Sequence, residues 1–348
     1  MNKINETLFN FFILVCMVAQ SIFAIEIPSS TAADVEQAVL NLPQQQSAGQ
    51  GNLVQLARLA GNTLAVPVLK KHIRDSDFYI KHGVLVTLRI IKAPCANVES
   101  EVTSVLNDQQ WLIRHDAVSY LASLECRAAK EDLRALFSKE EDLQVKEVVI
   151  NAIGSLGEPT DIPLLEQEQK DSTKPMTYRL AATIGLLKLN GEYVASLIRD
   201  GIKNSDKIVQ IKSLMAASLT RDELLKQEIE ALKFSSELQS YVKIAESGIE
   251  LNQIVAQTSK IDKLFSLIGE DIDLTKWAVE KILREFGTQN NVQVLISIGK
   301  GTQQKQADTN GFGQQQFDKK GAIVMSVLRE KQVISEQEYM QYVRGQVE

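Results

Sequence analysis

Histidine is the side chain that most often serves as general base or zinc ligand, and this 348-residue chain contains only three histidines. His82 and His115 lie 33 residues apart, and Asp116 directly follows the second. Two imidazoles beside a carboxylate form a donor set that zinc accepts. The same spacing also fits two solvated histidines on neighbouring helices, which is the interpretation that we favour. The chain has no GxSxG, HExxH, P-loop or GxGxxG pattern. We therefore predict no catalytic residue, no metal site and no cofactor.

The first residues have the layout of a secretory signal peptide. An apolar stretch at residues 8–24 follows Lys3 and ends at the small residue Ala24. This stretch is shorter than the roughly 20 apolar residues that span a bilayer. We expect residues 1–24 to be a Sec-type signal peptide, and the mature chain to be periplasmic or secreted. An uncleaved membrane anchor is the alternative.

Two cysteines, Cys95 and Cys126, follow the predicted signal peptide. One begins a predicted helix and the other ends the antiparallel helix after it, so the pattern brings them together. In an oxidising compartment, such a pair favours a disulfide over two free thiols. Closing a loop of about thirty residues would stabilise the fold by roughly 3 to 4 kcal/mol in the chain-entropy model.

The charge of the chain argues against a nucleic-acid partner. The sequence has 38 basic and 44 acidic residues, which gives a net charge of −6. A polyphosphate partner is attracted by basic patches, and here lysines and arginines cluster only in short pairs. Abundant Leu, Ile, Val and Ala with few aromatic residues favour helices over sheets.

A repeat of about 33 residues organises the rest of the sequence. A basic residue recurs at spacings of 33, 32, 33, 33, 31 and 33 residues, and an acidic residue stands six positions before it in six of the seven copies. Apolar residues at positions −1, +3 and +7 follow helical spacing in the first five copies, whereas Glu250 and Thr275 replace apolar residues in the last two. The basic positions are Lys81, Arg114, Lys146, Arg179, Lys212, Lys243 and Lys276. The acidic positions are Asp75, Asp108, Glu140, Asp206, Glu237 and Glu270, with Thr173 in the fourth copy.

Each copy also has a second apolar-periodic segment upstream, so it is predicted to be a hairpin of an outer and an inner helix. One hairpin cannot bury its apolar stripe alone, and the copies must therefore stack into a solenoid. We predict capping helices at 25–61 with a polar linker at 44–51, and repeats at 62–299. A flexible Gly/Gln-rich loop is predicted at 300–316, and C-terminal helices at 317–348.

These copies resemble HEAT repeats of the short bacterial kind, similar to those of phycobilisome-lyase proteins. The segments that carry the resemblance are DQQWLIRHDAVSYLASL from residue 108 and EEDLQVKEVVINAIGSLG from residue 140. The resemblance implies an all-α solenoid of about seven to eight hairpins. It also implies that the acidic and basic positions pair as a ladder between neighbouring repeats.

Stacked hairpins form an elongated curved body whose concave surface, lined by inner helices, suits a protein or peptide partner. We predict a non-catalytic binding scaffold with no nucleic-acid partner and no stable membrane insertion after signal cleavage. Two alternatives stay open, namely a lyase-like enzyme and a membrane-anchored adaptor. The candidate binding residues are His82, His115, Asp116, Glu147, Gln210 and Lys281.

Overall fold

The computed structural model of the protein describes residues 30–300 and 319–343, and all regular elements in these ranges are helices. The predicted signal peptide, most of the predicted Gly/Gln-rich loop and the last five residues lie outside the described residues. The first four helices are α1 (Ala32–Leu40), α2 (Leu42–Gln45), α3 (Ser47–Ala60) and α4 (Asn62–Lys71). Next come α5 (Phe78–Ile90), α6 (Cys95–Ser104), α7 (Trp111–Ser123), α8 (Lys130–Lys139), α9 (Leu143–Leu156), α10 (Ile162–Lys170), α11 (Met176–Lys188) and α12 (Ala195–Ile202). The remaining helices are α13 (Lys207–Ala217), α14 (Glu223–Ala231), α15 (Gln239–Gln253), α16 (Gln257–Ser266), α17 (Ile272–Phe286), α18 (Gln289–Lys300), α19 (Lys319–Glu330) and α20 (Glu336–Val343).

Aspartates begin several of the inner helices. Asp77, Asp142, Asp206 and Asp271 are N-caps, and each side chain accepts a hydrogen bond from a backbone N–H in the first turn. A side-chain acceptor satisfies a donor that the helix leaves unpaired at this end. The caps therefore fix where the inner helices start.

The odd-numbered helices from α5 to α19 are the inner helices, and each packs against the next one in the series. The outer helices from α4 to α18 pack against them as antiparallel partners. Ile113, Ala117 and Leu121, which the repeat pattern assigns to the buried face of α7, are fully buried. The predicted solenoid of helical hairpins is confirmed.

Two inner helices approach each other closely enough to require glycine. A Cβ atom on Gly154 of α9 would lie 2.3 Å from Cα of Gly185 in α11. Real Cβ atoms do not come this close to a neighbouring backbone, because dense interiors resist overlap. The pair of glycines therefore sets the distance between these two repeats.

The N-terminal cap differs from the prediction. Residues 44–51, expected to be a polar linker, lie mostly in α2 and α3, with a break at Gln46, where φ is 49°. The reason is tertiary packing. Helix α3 contacts α1 and α5, and these contacts stabilise a helical conformation that the Gly/Gln composition alone does not favour. Gln50 contributes by donating to the carbonyl oxygen of Gly83 at 3.1 Å and to Oγ1 of Thr87 at 2.8 Å.

The C-terminal helices continue the array and do not form a separate cap. Helix α18 packs against α19 as the last hairpin, and α19 packs against α17 in the inner row. Helix α20 begins after Ser335, whose hydroxyl and backbone N–H both donate to the Glu338 carboxylate. The backbone N–H of Glu338 donates back to the Ser335 hydroxyl at 3.1 Å, which completes a capping box.

The array does not extend as the elongated body that the repeats predict, because its two ends meet. Helix α20 contacts α3, and the side chain of Gln332 donates to the carbonyl oxygens of Ile91 and Lys92, more than 200 residues earlier in the chain. A small rotation per repeat accumulates over eight hairpins. The described chain is consequently a ring that closes where α20 contacts α3 and Gln332 reaches the C-terminal end of α5.

Candidate interaction surface

One exposed apolar side chain stands in the first turn of each of five inner helices. These side chains are 37% to 59% exposed, and they recur at intervals of 32, 32, 65 and 64 residues. Because the inner helices run in the same direction, their first turns share one edge of the concave surface. We call this set the first-turn row; its members are Tyr79, Trp111, Leu143, Ile208 and Ile272.

The position between Leu143 and Ile208 in this series belongs to Met176, which is half-buried against Leu180. The position between Ile208 and Ile272 is polar. The row therefore consists of a continuous part on α5, α7 and α9 and two further members beyond it. Single exposed apolar residues are common on protein surfaces, whereas an aligned set is typical of an interaction site.

A His–Asp–His cluster lies beside this row on α5 and α7. Nδ1 of His82 is 2.6 Å from Oδ2 of Asp116, which is a hydrogen bond, and the Asp116 side chain is almost fully buried. Nδ1 of His115 is 3.6 Å from the other carboxylate oxygen, too long for a hydrogen bond, and it is buried without another partner among the described residues. Phe78 stacks on His82, and Trp111 meets His115 edge-on.

Burial raises the pKa of Asp116, but the imidazoles of His115 and His82 outweigh burial and hold this pKa below its usual range. The carboxylate is thus an anion that ties neighbouring repeats together through His82. In residues 30–300 and 319–343, no group of three or more His, Cys, Asp and Glu side chains is arranged to hold a metal ion.

The predicted ladder positions pair in the first two copies. Lys81 pairs with Asp108, and Arg114 forms a two-pronged pair with Glu140, with Nε–Oε2 and Nη2–Oε1 distances of 2.6 and 2.8 Å. Burial raises the pKa of Glu140, yet the Arg114 guanidinium brings it below its usual value. Asp75 instead accepts from the N–H of Asp77.

The later ladder positions have different contacts. The ammonium of Lys146 lies over the Phe137 ring, and Arg179 donates to the carbonyl oxygen of Gln169. Asp206 is an N-cap, Glu237 pairs with Lys207, and Lys243 approaches Asp271 at 3.7 Å, beside the predicted Glu270. The structure gives no ion pair for Lys276 or Glu270 in the described residues. The 31-residue spacing before Lys243 shifts the register of the last copies, so the acidic and basic positions no longer face each other.

The other candidate binding residues have partners within the chain. Glu147 on α9 pairs with Lys212 on α13, and this contact passes over the intervening α11. Gln210 donates to the carbonyl oxygen of Ile202 at 3.3 Å, and Lys281 pairs with Glu285 at 2.6 Å. A contact between two inner helices that are not neighbours shows how tightly the concave surface curves. These side chains therefore contribute to the fold in the closed ring.

The sulfur atoms of Cys95 and Cys126 lie at bonding distance, and their Cα atoms are 5.6 Å apart. Cys95 is the first residue of α6, and Cys126 follows the end of α7. The two ends of this hairpin are therefore adjacent, as the antiparallel arrangement requires.

Sequence reasoning missed the first-turn row and the closure of the ring. The row had a visible signal, because apolar residues recur two to four positions before the repeated basic residue. Ring closure has no comparable signal, because it depends on the curvature summed over all repeats.

Helical hairpins stacked in one row, with a shared inner surface, define a helical-repeat protein. Residues 99–184 match the family model of HEAT repeats, so this part of the chain consists of HEAT repeats. The resemblance drawn from the residue pattern is confirmed.

Solved structures similar to this chain include the complex of CpcE and CpcF of phycocyanin lyase from Nostoc sp. PCC7120. The identity is 14% and the TM-score 0.39, with 81% of this chain and 94% of that chain covered. Human deoxyhypusine hydroxylase in complex with glycerol is similar at 16% identity and a TM-score of 0.32, with 74% and 96% covered. No curated protein sequence matches the chain. In the part of the chain that the structure describes, no helix is both long enough and apolar enough to cross a bilayer.

Proposed function

We propose that the chain is an exported, non-catalytic scaffold that binds a protein or peptide along the edge of its concave surface. The observation that carries this proposal is the first-turn row, in which Tyr79, Trp111 and Leu143 project from three consecutive inner helices. Packed helices lie about 8 to 10 Å apart. The row therefore offers apolar contacts at regular steps, which a polypeptide with apolar residues at matching intervals can cover.

The chemistry of the row favours an interface. Aromatic side chains bury a large area at a small entropic cost and are enriched among the residues that dominate binding energy. Trp111 and Tyr79 supply such side chains on a rigid scaffold, because each stands in the first turn of a packed helix. The partner would bury apolar surface that now faces water.

The experiment compares two variants that each remove one exposed apolar side chain. Trp111→Ser removes a member of the row, and Leu224→Ser removes a 66% exposed residue from outer helix α14. A partner is captured from envelope extract on the mature chain and identified, and its affinity for each variant is then measured by calorimetry. We expect Trp111→Ser to weaken binding by roughly 30-fold, as for a residue that contributes about 2 kcal/mol.

Leu224→Ser should keep the wild-type affinity. Equal losses in the two variants, or no loss in Trp111→Ser, would contradict the proposed surface. Leu224 is 66% exposed, whereas Trp111 is 39% exposed and meets His115 edge-on, so Trp111→Ser should lower the urea midpoint more than Leu224→Ser. The circular dichroism spectra of both variants without urea should still match that of the wild type. This match separates a loss of binding from a loss of fold.

Export and the lack of catalysis have separate tests. Mass spectrometry of the chain recovered from cells should find Ile25 as its first residue, whereas an intact Met1 would favour the anchored adaptor. A covalent product formed reproducibly from a small-molecule substrate by the purified chain would favour the enzyme alternative.

A further inference from the structure

The ring closes at a junction that we call the seam, where α19 and α20 meet α3 and the C-terminal end of α5. Gln332, between α19 and α20, donates to the carbonyl oxygen of Ile91 and, at 3.4 Å, to that of Lys92. Helix α20 contacts α3. These contacts join the last hairpin to the first repeat.

The seam brings like charges together. Burial and the nearby Arg329 lower the pKa of Arg58, while Glu336 and Glu330 act in the opposite direction. Arg329 itself lies over the Tyr339 ring at 4.0 Å, and its Nε atom is buried with no hydrogen-bond partner among the described residues. Arg329 Nη1 also lies 3.9 Å from the Glu336 carboxylate, so the charge of the arginine pair is compensated in part.

A second cation pair lies at the same junction. Burial and the ammonium of Lys331 lower the pKa of Lys92 from 10.5 to about 8, opposed by Glu280 and Glu330. Glu280 is already paired with Lys331 at 2.8 Å. Lys92 therefore gains little from the carboxylates that face it, and its charge opposes closure.

Apolar packing does not continue across the seam. One hydrophobic cluster runs from Val35 to Leu186 and another from Leu251 to Tyr342. Neither cluster contains a side chain from the other among the described residues. Two smaller clusters lie between them, but apolar packing still crosses those junctions, because Leu180 of α11 packs with Val209 of α13 and Leu251 of α15 belongs to the same cluster as Ala278 of α17. The seam therefore depends on polar contacts and carries opposed cations, which makes it the interface at which we expect the ring to open.

We propose that the ring is a clasp that opens and closes at the seam, with α19 and α20 moving away from α3 and α5 while the hairpins stay folded. In the closed state, the last hairpin covers the end surface of the first repeat. Opening exposes that surface and widens access to the inner helices. The clasp itself does not depend on the proposed binding function.

The test uses hydrogen exchange on the full mature chain with Gln332→Asn. Gln332 has a φ of 55°, a conformation that asparagine tolerates, and the shorter side chain cannot reach the two carbonyl groups. We expect exchange to rise about tenfold in α20, α3 and the end of α5, with α9 and α11 unchanged. X-ray scattering should show a larger maximum dimension.

The matched control is Gln253→Asn, which shortens a side chain that donates to Glu223 at 2.7 Å inside one hairpin. This variant should leave exchange at the seam unchanged. Exchange that rises evenly along the whole chain in Gln332→Asn, or stays at the wild-type level at the seam, would overturn the clasp.

A second variant should act in the opposite direction. Lys92→Gln removes the cation that opposes Lys331, so seam exchange at pH 7 should slow down. In the wild type, deprotonation of Lys92 favours the closed ring as pH rises through 8 towards 10.5. The opening constant, corrected for the intrinsic pH dependence of exchange, should fall by about tenfold between pH 7 and pH 9. The absence of this fall, or its persistence in Lys92→Gln, would also overturn the proposal.

Discussion

Gly154→Ala tests the close contact between the repeats most directly. The added Cβ atom would lie 2.3 Å from Cα of Gly185, where ordinary contacts are 3.4–4 Å. Because the obstacle is backbone, no side-chain rotation relieves the overlap, and α9 must move away from α11 by about 1 Å. The displacement loosens the apolar contacts around this crossing.

The magnitude follows from two opposing effects. Overpacking of a dense core costs about 1 to 3 kcal/mol, and replacing a helical glycine by alanine gains about 1 kcal/mol. A backbone clash belongs at the upper end of the first range, so we expect Gly154→Ala to lower the free energy of unfolding by about 2 kcal/mol. Urea denaturation followed by circular dichroism measures this change.

Two further glycines calibrate this prediction. A Cβ atom on Gly185 would be 3.1 Å from a leucine methyl group and 3.2 Å from Gly154, so Gly185→Ala should cost less than Gly154→Ala. Gly51 lies in α3 with nothing within 4 Å of the added atom, and Gly51→Ala should be neutral or stabilising. Equal effects at Gly154 and Gly51 would refute the argument from contact distance.

Four other predictions concern charged groups. Arg114→Ala should destabilise the chain by about 3 kcal/mol, because it leaves the buried Glu140 carboxylate without its main partner. Lys146→Ala, whose ammonium lies over an aromatic ring, should cost less than about 1 kcal/mol in the same urea titration. The pKa of Glu140 in the folded state lies below its ordinary value of 4.5, so its pair with Arg114 stabilises the fold at pH values above 4.5. The difference in the free energy of unfolding between Arg114→Ala and the wild type should therefore shrink as pH falls from 7 to 3. Asp116→Asn should cost about 1 to 3 kcal/mol in urea at pH 7, because His82 then loses its charged acceptor, and an unchanged midpoint would contradict this role.

The repeat pattern predicted the fold because it shows the helical period of each inner helix and the positions that contact the neighbouring repeat. Ile113, Ala117 and Leu121 recur every four positions and so lie on one face of a helix, and that face is buried between neighbouring hairpins. The pairs of Lys81 with Asp108 and Arg114 with Glu140 likewise connect consecutive copies. Such contacts depend on one repeat and its neighbour, so a local pattern is sufficient to predict them.

Contacts beyond the nearest neighbour were not predictable in the same way. Lys212 pairs with Glu147, two repeats earlier, although the ladder pattern assigns it Glu237 of the next repeat as its partner. Which acid is nearer depends on the local curvature, and curvature depends on packing details such as the contact between Gly154 and Gly185. The sequence spacing contains no measure of this rotation.

A partner that binds at the first-turn row and a partner that binds at the inner surface should respond differently to the opening of the ring. If a partner binds only along the outer edge, at residues such as Trp111, the opening of the seam leaves its affinity unchanged. If the partner also requires the inner surface, where Glu147 and Lys212 pair across α11, only the open ring binds it. The apparent dissociation constant then equals the intrinsic one divided by the fraction of open rings. Gln332→Asn should then tighten binding, and Trp111→Ser combined with it should show whether the two effects are independent. A partner that binds wild type and Gln332→Asn equally well, but loses affinity with Trp111→Ser, uses the edge alone. In that case the clasp has no part in recognition.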